Sequence, residues 1–374
     1  IIDLDELPLN DEITFQLYQK GETNGTFQFE SVGMQKHLRE LKPDKFADLI
    51  AMNALYRPGP MAYIPNFIAR KHGKEEIVYD VPEMKEFLED TYGITVYQEQ
   101  VMQLSQSIGG FTKGDADFLR KAMGKKDRQT LDKMKSKFIE GGAIKGHPKE
   151  KLEKVWTDWE AFAQYAFNKS HSTCYALVAY QTAYLKAHFE VEFMAGLITL
   201  ELSHPETTLA YLKEVKKSHI KLLTPDINIS IATFTPEEKS IRWGLLGIKN
   251  VGEIAAEDIL KQQRKEPFKN LLDFCLRVDL RTSNKRVIES LIASGAFDSF
   301  PHSRSQMIGN LDITIEFAQR TKETLFSGQL NLFETELREE RNKSVEEQVK
   351  WTRFDEWTIN QLLESEKEVL GLYM

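Results

Sequence analysis

Basic side chains crowd a short segment of the chain between residues 112 and 126. Thr112 and Asp115 stand three residues apart, which is an acidic variant of the capping box that begins a helix. Apolar residues then recur on one face of the expected helix, while like charges stack on another face and repel one another. An anionic ligand would relieve that repulsion; a solvated helix end, which the helix dipole favours, is the alternative. The basic residues are Arg120, Lys121, Lys125 and Lys126.

A polar run at residues 168–173 stands directly before an apolar helical stretch, residues 176–189. Backbone amides at a helix start, with a lysine beside them, form a suitable arrangement for a phosphate. Neighbouring serine and histidine side chains on one turn rarely align for proton transfer, so we exclude nucleophilic catalysis. His171 and Cys174 lack a second pair with ligand spacing, which argues against zinc, and a plain polar helix cap is the alternative. The candidate phosphate ligands are Asn168, Lys169, Ser170 and His171.

A glycine-rich turn at residues 244–253 joins two expected short helical pieces around a small apolar core, as in a helix-hairpin-helix. In that motif the glycines let a DNA backbone approach, and the amides at the next helix start hold a phosphate without reading bases. We therefore expect DNA contacts at Gly247, Lys249 and Gly252. A second such element is expected at residues 284–298. The alternative for both is an ordinary helical turn.

An apolar island, residues 329–333, lies in an acidic and glutamine-rich stretch. An exposed Leu-Phe pair in a polar loop lowers solubility unless the pocket of a partner buries it. A leading glutamine can bond backbone groups at the rim of such a pocket. A short strand that anchors the loop to its own domain is the alternative. The residues expected to bind a partner are Gln329, Leu330, Leu332 and Phe333.

The composition limits the class of protein that can carry these segments. With 374 residues, 41% of them hydrophobic, the chain is long enough for two or three domains with substantial cores. No apolar run approaches the length of a membrane-spanning helix, and no signal segment opens the chain. Two cysteines far apart in sequence exclude a disulfide framework and a four-cysteine zinc site. We expect a soluble, cytoplasmic protein.

The net charge of −8 conceals an uneven distribution. Residues 1–30 carry a net charge of −6 and residues 334–374 carry −5, which leaves residues 31–333 at +3. A basic footprint is the first sign of nucleic-acid binding, so the interior of the chain is the relevant part. The chain also begins Ile1-Ile2-Asp3 without a methionine, which predicts that it is a piece of a longer polypeptide.

The hydrophobic periodicity predicts a mainly helical fold. Apolar residues recur every three or four positions from about residue 30 to 220 and again from 251 to 294. Between 221 and 243 apolar and polar residues alternate around a polar turn, which predicts a small hairpin or a pair of short strands. Residues 324–350 are polar and are expected to form a loop. We therefore expect a multi-helix domain, a small β-hairpin element and a further helical region.

These segments, in this order, resemble the family of bacterial DNA polymerase III alpha subunits, the C-family replicative polymerases. The resemblance runs through nearly the whole chain. Several long motifs in the right order are specific, although one of them alone is not. The most specific stretches are residues 26–31, 56–60, 92–102, 119–126 and 167–172.

The resemblance implies a domain order in which the fingers domain dominates the first half of the chain. A small β element then leads to a tandem helix-hairpin-helix region. In chain order we expect a connector from a palm domain at 1–30, the fingers at 31–225, the β element at 226–243, the tandem helix-hairpin-helix at 244–300, and a clamp-binding segment with a linker to an oligonucleotide-binding fold at 301–374.

The resemblance also implies roles for the candidate residues. The basic residues of 120–126 match the motif with which the fingers close over the primer terminus and the incoming nucleotide. Lys121 stands where an arginine is common and loses the bidentate fork of a guanidinium. Residues 168–171 match the motif near the nucleotide pocket. Residues 329–333 resemble the family's internal motif for the sliding clamp.

For the full-length protein the resemblance implies Mg²⁺-dependent, template-directed DNA synthesis. Its partners would be primer-template DNA, deoxynucleoside triphosphates, the sliding clamp and other subunits of the polymerase III holoenzyme. The family's three metal-binding aspartates belong to the palm and are expected before residue 1, because Asp3 and Asp5 lack the flanking residues of that motif. Two-metal nucleotidyl transfer needs those carboxylates. We therefore expect no catalytic residue, no bound metal and no polymerase activity in this chain alone.

Two other functions fit part of the pattern. A non-catalytic DNA-binding or scaffold protein needs only the helix-hairpin-helix units, and its DNA binding would depend on Lys249 and not on the fingers residues. The error-prone paralogue of the C family is the second alternative, and the clamp motif at 329–333 favours the replicative form over it.

Overall fold

The chain divides into two compact units, Ile1–His188 and Phe189–Met374. This division falls earlier than residue 225, where the sequence places the end of the fingers domain. The expected mainly helical fold with a small β element is confirmed. No helix in the described part of the chain is long and apolar enough to cross a membrane. The computed structural model describes residues 2–125, 127–162, 166–326 and 349–374.

The first unit consists of helices whose ends are set by side-chain caps and left-handed residues. Asp11 accepts a hydrogen bond of 2.8 Å from the amide of Thr14 at the start of the first helix, and Gly21 ends that helix with a φ of 68°. Ser31 caps the second helix in the same way. The helices are α1 (Glu12–Lys20), α2 (Val32–Leu41), α3 (Phe46–Leu55), α4 (Ile64–Lys71), α5 (Met84–Leu88), α6 (Gln98–Ser107), α7 (Lys113–Lys125), α8 (Arg128–Ile144), α9 (Lys149–Phe162) and α10 (Lys169–His188).

Two apolar cores support the first unit. One surrounds α10, whose Tyr180 packs against Phe15 of α1 and Phe46 of α3 with ring centroids 5.7 and 5.9 Å apart. The other lies among α6, α7, α8 and α9, where the ring of Phe138 contacts that of Trp159 at 4.9 Å. Large aromatic side chains dominate the energetics of such cores. The two helices that carry candidate residues, α7 and α10, are therefore each fixed by a core.

A buried charge cluster joins α3 and α4. Lys71 Nζ lies 2.7 Å from Asp48 Oδ2 and 2.6 Å from Asp44 Oδ1. Tyr92 donates its hydroxyl to Asp48 Oδ1 at 3.0 Å. Asp48 is fully buried, whereas the side chain of Asp44 is 68% exposed. Burial, and then the charge of Asp48, raise the pKa of Tyr92 well above its usual range, so the phenol remains a hydrogen-bond donor.

The second unit combines helices with a three-stranded sheet in the order β1-β3-β2. β3 pairs with β2 as an antiparallel hairpin and with β1 in parallel. Ile241 at the centre of β3 is buried and lies between Leu222 and Pro236. The elements are α11 (Glu190–Leu200), α12 (Pro205–Lys217), β1 (Lys221–Leu223), β2 (Thr235–Glu237), β3 (Ser240–Arg242), α13 (Glu253–Gln263), α14 (Leu271–Arg277), α15 (Lys285–Ala293), α16 (Arg304–Gly309), α17 (Leu311–Phe326) and α18 (Ile359–Leu370).

The alternating run at 225–233 does not form the strand that its period of two predicts. Asp226 folds this run into turns, because its side chain accepts a hydrogen bond from the amide of Asn228 and its carbonyl accepts one from Ser230. Ile227 is buried, but Ile229 is 57% exposed. A local side chain thus competes successfully with strand pairing for the backbone donors.

Arg304 connects the ends of three helices in the second unit. Its guanidinium binds Asp298 at 2.6 and 2.8 Å, Glu366 of α18 at 3.0 Å and the carbonyl of Ala293 at 3.2 Å. Arg304 is buried, so these acceptors satisfy donors that water does not reach. The arrangement fixes α18, whose last turn contacts the glycine-rich turn through Val369.

The charge cluster of the first unit yields a stability prediction. Asp48→Ala leaves Lys71 without its buried partner and Tyr92 without its acceptor, so we expect a loss of about 3 kcal/mol in the free energy of unfolding. The Asp44→Ala control removes an exposed partner of the same lysine and should cost less than about 1 kcal/mol. Urea denaturation measures both values. Equal losses for the two variants would contradict this account.

Candidate functional site

The predicted capping box at the start of α7 is present. Thr112 Oγ1 accepts a hydrogen bond from the amide of Asp115 at 3.1 Å, and Asp115 Oδ2 accepts one from the amide of Thr112 at 2.9 Å. Lys137 of α8 lies 2.7 Å from the other carboxylate oxygen of Asp115. The hydrogen bonds from Lys137 and Thr112 lower the pKa of Asp115 to about 2. The carboxylate is therefore ionised at neutral pH and ties α7 to α8.

The sequence predicts unrelieved repulsion between like charges along α7. The structure corrects this prediction, because Asp117 pairs with two of the basic residues. Its carboxylate accepts from Arg120 at 2.9 Å and from Lys121 at 2.7 Å, at spacings of three and four residues. Hydrogen bonds from Lys121 and then Arg120 lower the pKa of Asp117. Lys125 is exposed and makes no ion pair with any residue that the structure describes. Lys126 lies outside the described residues.

The start of α10 is capped from two directions. Asn168 Oδ1 accepts a hydrogen bond of 2.8 Å from the amide of His171, as a helix cap does. Glu99 of α6 accepts from the amide of Lys169 at 2.9 Å and from the Asn168 side-chain amide at 2.7 Å. The sequence predicts that the amides here are free for a phosphate; the structure corrects this, because a carboxylate already engages the first one.

Two of the sequence motifs meet at this helix start. Tyr97 and Phe167 form a parallel bridge, and the amide of Gln98 donates to the carbonyl of Phe167 at 2.9 Å. The side chain of Gln98 donates to the carbonyl of Ala166 at 3.3 Å. Behind them the buried side chain of Gln100 accepts from the amide of Tyr97 at 2.9 Å. Residues 97–100 therefore determine where residues 166–171 lie.

The basic helix α7 adjoins the same segment. A narrow cleft lies between α6, α7 and Ala166, so Arg120 lies beside the segment that leads into α10. The cleft is lined by Gln98, Val101, Arg120, Met123, Gly124 and Ala166.

Planar side chains surround the start of α10. The guanidinium of Arg57 lies 4.1 Å from the ring centroid of Phe167, and the ring of His171 lies 4.3 Å from that of Tyr175. Lys169 Nζ stands 5.4 Å from the ring centroid of Tyr97. The sequence names Arg57 only within the motif at 56–60 and gives it no role at the site. Its position before a rigid Pro-Gly-Pro turn is the signal that could have identified it.

The serines of this segment have different surroundings. Ser170 is exposed, whereas Ser172 is buried and donates its hydroxyl to the carbonyl of Ile50 at 2.6 Å. Ser172 therefore serves to hold α10 against α3. Within the described residues no group of three histidine, cysteine or acidic side chains could hold a metal ion.

The glycine-rich turn of the second unit differs in detail from two helices joined by a hairpin. Its first piece, Leu245–Gly247, is a single 3₁₀ turn, and Asn250 adopts a left-handed φ of 70° before Gly252 begins α13. The amide of Lys249 donates to the carbonyl of Val369 at 2.9 Å. Lys249 and Gly252 are exposed, and because glycine has no side chain, the start of α13 has no side-chain cap.

The two candidate glycines of this turn serve different purposes. A Cβ at Gly247 would lie 2.6 Å from Trp243 Nε1 and 2.9 Å from the ring of Phe234, so packing requires a glycine there. A Cβ at Gly252 would meet nothing within 4 Å. Only Gly252 combines backbone exposure with open space, which is what a phosphate needs.

The second expected element begins at Asn284, which caps α15 through a hydrogen bond from the amide of Val287. Lys285 is paired with Asp312 at 2.7 Å. Gly295 ends this part with a left-handed φ of 83°. The partner-binding candidates Gln329, Leu330, Leu332 and Phe333 lie outside the described residues.

Fold and site together define a class: a mostly helical protein with a helix-hairpin-helix region, and with a unit that carries both a basic helix and a polar helix start. A helix-hairpin-helix family model matches residues 219–307. The model of the bacterial DNA polymerase III alpha subunit finger domain matches residues 1–146.

Relatives of the chain carry the name DNA polymerase III subunit alpha. That of Bacillus subtilis is 41% identical over 100% of this chain, that of Borreliella burgdorferi 43% over 98%, and that of Thermus aquaticus 42% over 100%. These matches cover 33%, 32% and 30% of the relatives, so the chain spans about a third of their length. The chain belongs to the family of bacterial DNA polymerase III alpha subunits, as its sequence motifs predict.

The contrast between the two glycines can be measured. Gly247→Ala forces a Cβ against Trp243 and Phe234, so we expect a loss of about 1–3 kcal/mol in the free energy of unfolding. Gly252→Ala, at an open helix cap, should cost less than about 1 kcal/mol. Thermal and urea denaturation of both variants test this. A larger loss at Gly252 than at Gly247 would refute the packing argument.

Proposed function

We propose that this chain supplies the nucleotide-binding fingers and a DNA-binding hairpin of a DNA-directed DNA polymerase. The observation that carries the proposal is the cleft in which Arg120 of α7 lies beside Gln98 and Ala166, three residues before α10 begins, in a chain of this family. The reaction of the full-length protein is the template-directed attack of a primer 3′-hydroxyl on a deoxynucleoside triphosphate.

In this proposal the triphosphate is bound by side chains of α7 and α10. Arg120 lines the cleft beside Ala166, and its pairing with Asp117 orients the guanidinium. Lys121 shares the same carboxylate and acts as a point charge. Lys125, Lys126 and Lys169 add positive charge, and Ser170 and His171 offer exposed polar groups.

The residues described here do not fit a role as Mg²⁺ ligands. Divalent ions of this kind require several oxygen ligands that converge on one point, and the described part of the chain has no such group. We therefore assign Mg²⁺ to the full-length protein only and give it no ligand in this chain. Whether these 374 residues alone synthesise DNA is tested by primer extension, and we expect none.

The hairpin of the second unit is proposed to hold duplex DNA through its backbone. Gly252 offers an exposed helix start, and Lys249 adds an exposed charge beside it. Such contacts bind phosphates without reading sequence, so binding should weaken strongly with salt. Gln329, Leu330, Leu332 and Phe333 are proposed to bind the sliding clamp within the holoenzyme.

Substitutions on α7 should affect nucleotide binding. In the full-length protein, Arg120→Ala removes a charge-assisted contact of about 1.5–3 kcal/mol, so we expect the KM for nucleotide to rise about tenfold or more. Lys121→Ala should have a smaller effect in the same direction. Lys151→Ala, an exposed lysine of α9, is the control. A nucleotide KM unchanged by Arg120→Ala and Lys121→Ala would favour a DNA-binding scaffold.

Substitution of Lys249 should affect DNA binding and not nucleotide binding. Lys249→Ala removes one phosphate contact, so the slope of log affinity against log salt concentration should become shallower by about 0.9. Lys261→Ala, in the last turn of α13, is a matched control on the same helix. Titration of primer-template DNA at several salt concentrations measures the slope. Equal slopes for the two variants would exclude Lys249 as a phosphate contact.

A further inference from the structure

Glu99 is the residue through which α6 contacts the start of α10. Its two carboxylate oxygens have separate donors: Oε2 accepts from the Lys169 amide at 2.9 Å and Oε1 from the Asn168 side chain at 2.7 Å. Asn168 in turn accepts from the amide of His171 at 2.8 Å. Three hydrogen bonds therefore tie α6 to the first turn of α10: two run in series through Asn168, and one joins Glu99 directly to the Lys169 amide.

These hydrogen bonds change the expected use of the helix start. The positive end of a helix dipole attracts an anion, and a phosphate is a common ligand there. At α10 the carboxylate of Glu99 already occupies that position. The side chain of Asn168 uses its oxygen for the cap and its amide for Glu99, so both of its ends serve to hold the backbone.

We propose that Glu99 is a positioning residue of the nucleotide site. It holds Asn168 and the first turn of α10 so that Lys169, Ser170 and His171 keep their side chains in the positions from which they bind the nucleotide. The triphosphate then meets these side chains and not the amides of the helix start. This inference rests on the proposed function, because it concerns how the same site is held.

A role for Glu99 as a competitor of phosphate predicts the opposite effect on nucleotide binding. If Glu99 only competed with phosphate for the helix start, its removal would free the Lys169 amide and tighten nucleotide binding. If it positions the segment, its removal should weaken nucleotide binding. The sign of the effect therefore separates the two roles.

An exchange of the two partners tests the geometry directly. In Glu99→Gln with Asn168→Asp, the new glutamine can accept from the Lys169 amide and donate to the new aspartate. That aspartate can still cap His171, and the total charge is unchanged. All three hydrogen bonds can thus form again, with one donor and one acceptor reversed.

The experiment uses the full-length polymerase and steady-state primer extension, with separate titrations of nucleotide and primer-template. For Glu99→Ala and for Asn168→Asp alone, we expect the nucleotide KM to rise about tenfold with little change in the KM for DNA. The exchanged double variant should return to within about twofold of the parent. Glu150→Gln, an exposed carboxylate of α9, is the control that should change nothing.

Two results would overturn the inference: a nucleotide KM that is unchanged or lower in Glu99→Ala, or a double variant no better than Asn168→Asp alone. If Glu99→Ala does not fold, the comparison of the double variant with Asn168→Asp decides the question. Arg120→Ala and Lys169→Ala in the same assay distinguish failure of the proposed function from failure of the positioning role. If neither raises the nucleotide KM, the proposed function fails; if they do and the Glu99 variants do not, only the positioning role fails.

Discussion

The pairing of residues 97–98 with residues 166–167 is the constraint on which the candidate site depends. It is a backbone interaction between segments about seventy residues apart in the chain, and the sequence motifs on both sides of it would otherwise be unrelated. Gln100 fixes the first of these two segments. Its buried side chain accepts hydrogen bonds from the amides of Val96 and Tyr97 and donates one to the hydroxyl of Thr91. An unsatisfied buried amide would be costly, so this side chain permits little variation in where the strand-like segment lies. The position of α10 follows from it.

The electrostatics of the site follow from paired charges and not from the net charge of the chain. Asp117 lies between Arg120 and Lys121, and Glu99 lies at the start of α10. Each carboxylate lowers the local positive potential and at the same time holds its partners in one geometry. In the proposed function these pairs stay in place and the triphosphate adds charge-assisted contacts to the same basic side chains, which favours a ligand with several negative charges over a single one.

Local chemistry made part of this structure predictable. Spacing along the chain predicts the capping box of Thr112 and Asp115, the cap at Asn168 and the mainly helical fold. The role of Asp117 could have been predicted in the same way, because it stands three and four residues from its partners. The alternating pattern of residues 225–233 predicts a strand, but this prediction is wrong. The side chain of Asp226 bonds the amide of Asn228 and so folds the segment into turns. The contact of Glu99 with Asn168 has no local signal, since only the tertiary fold brings the two motifs together.

The glycine-rich turn shows why a motif with the right spacing cannot by itself separate packing from binding. Gly247 and Gly252 are equivalent in the sequence pattern, yet one lies against Trp243 and Phe234 and the other faces open space. Packing requires a glycine at position 247, whereas position 252 has room for a side chain, and the sequence alone does not distinguish the two. The close approach at Gly247 packs the turn against Trp243 and Phe234 five residues before the N-cap of α13. If Gly252 binds a phosphate as proposed, the packing glycine at 247 contributes to that binding indirectly, because it fixes the turn that leads into α13.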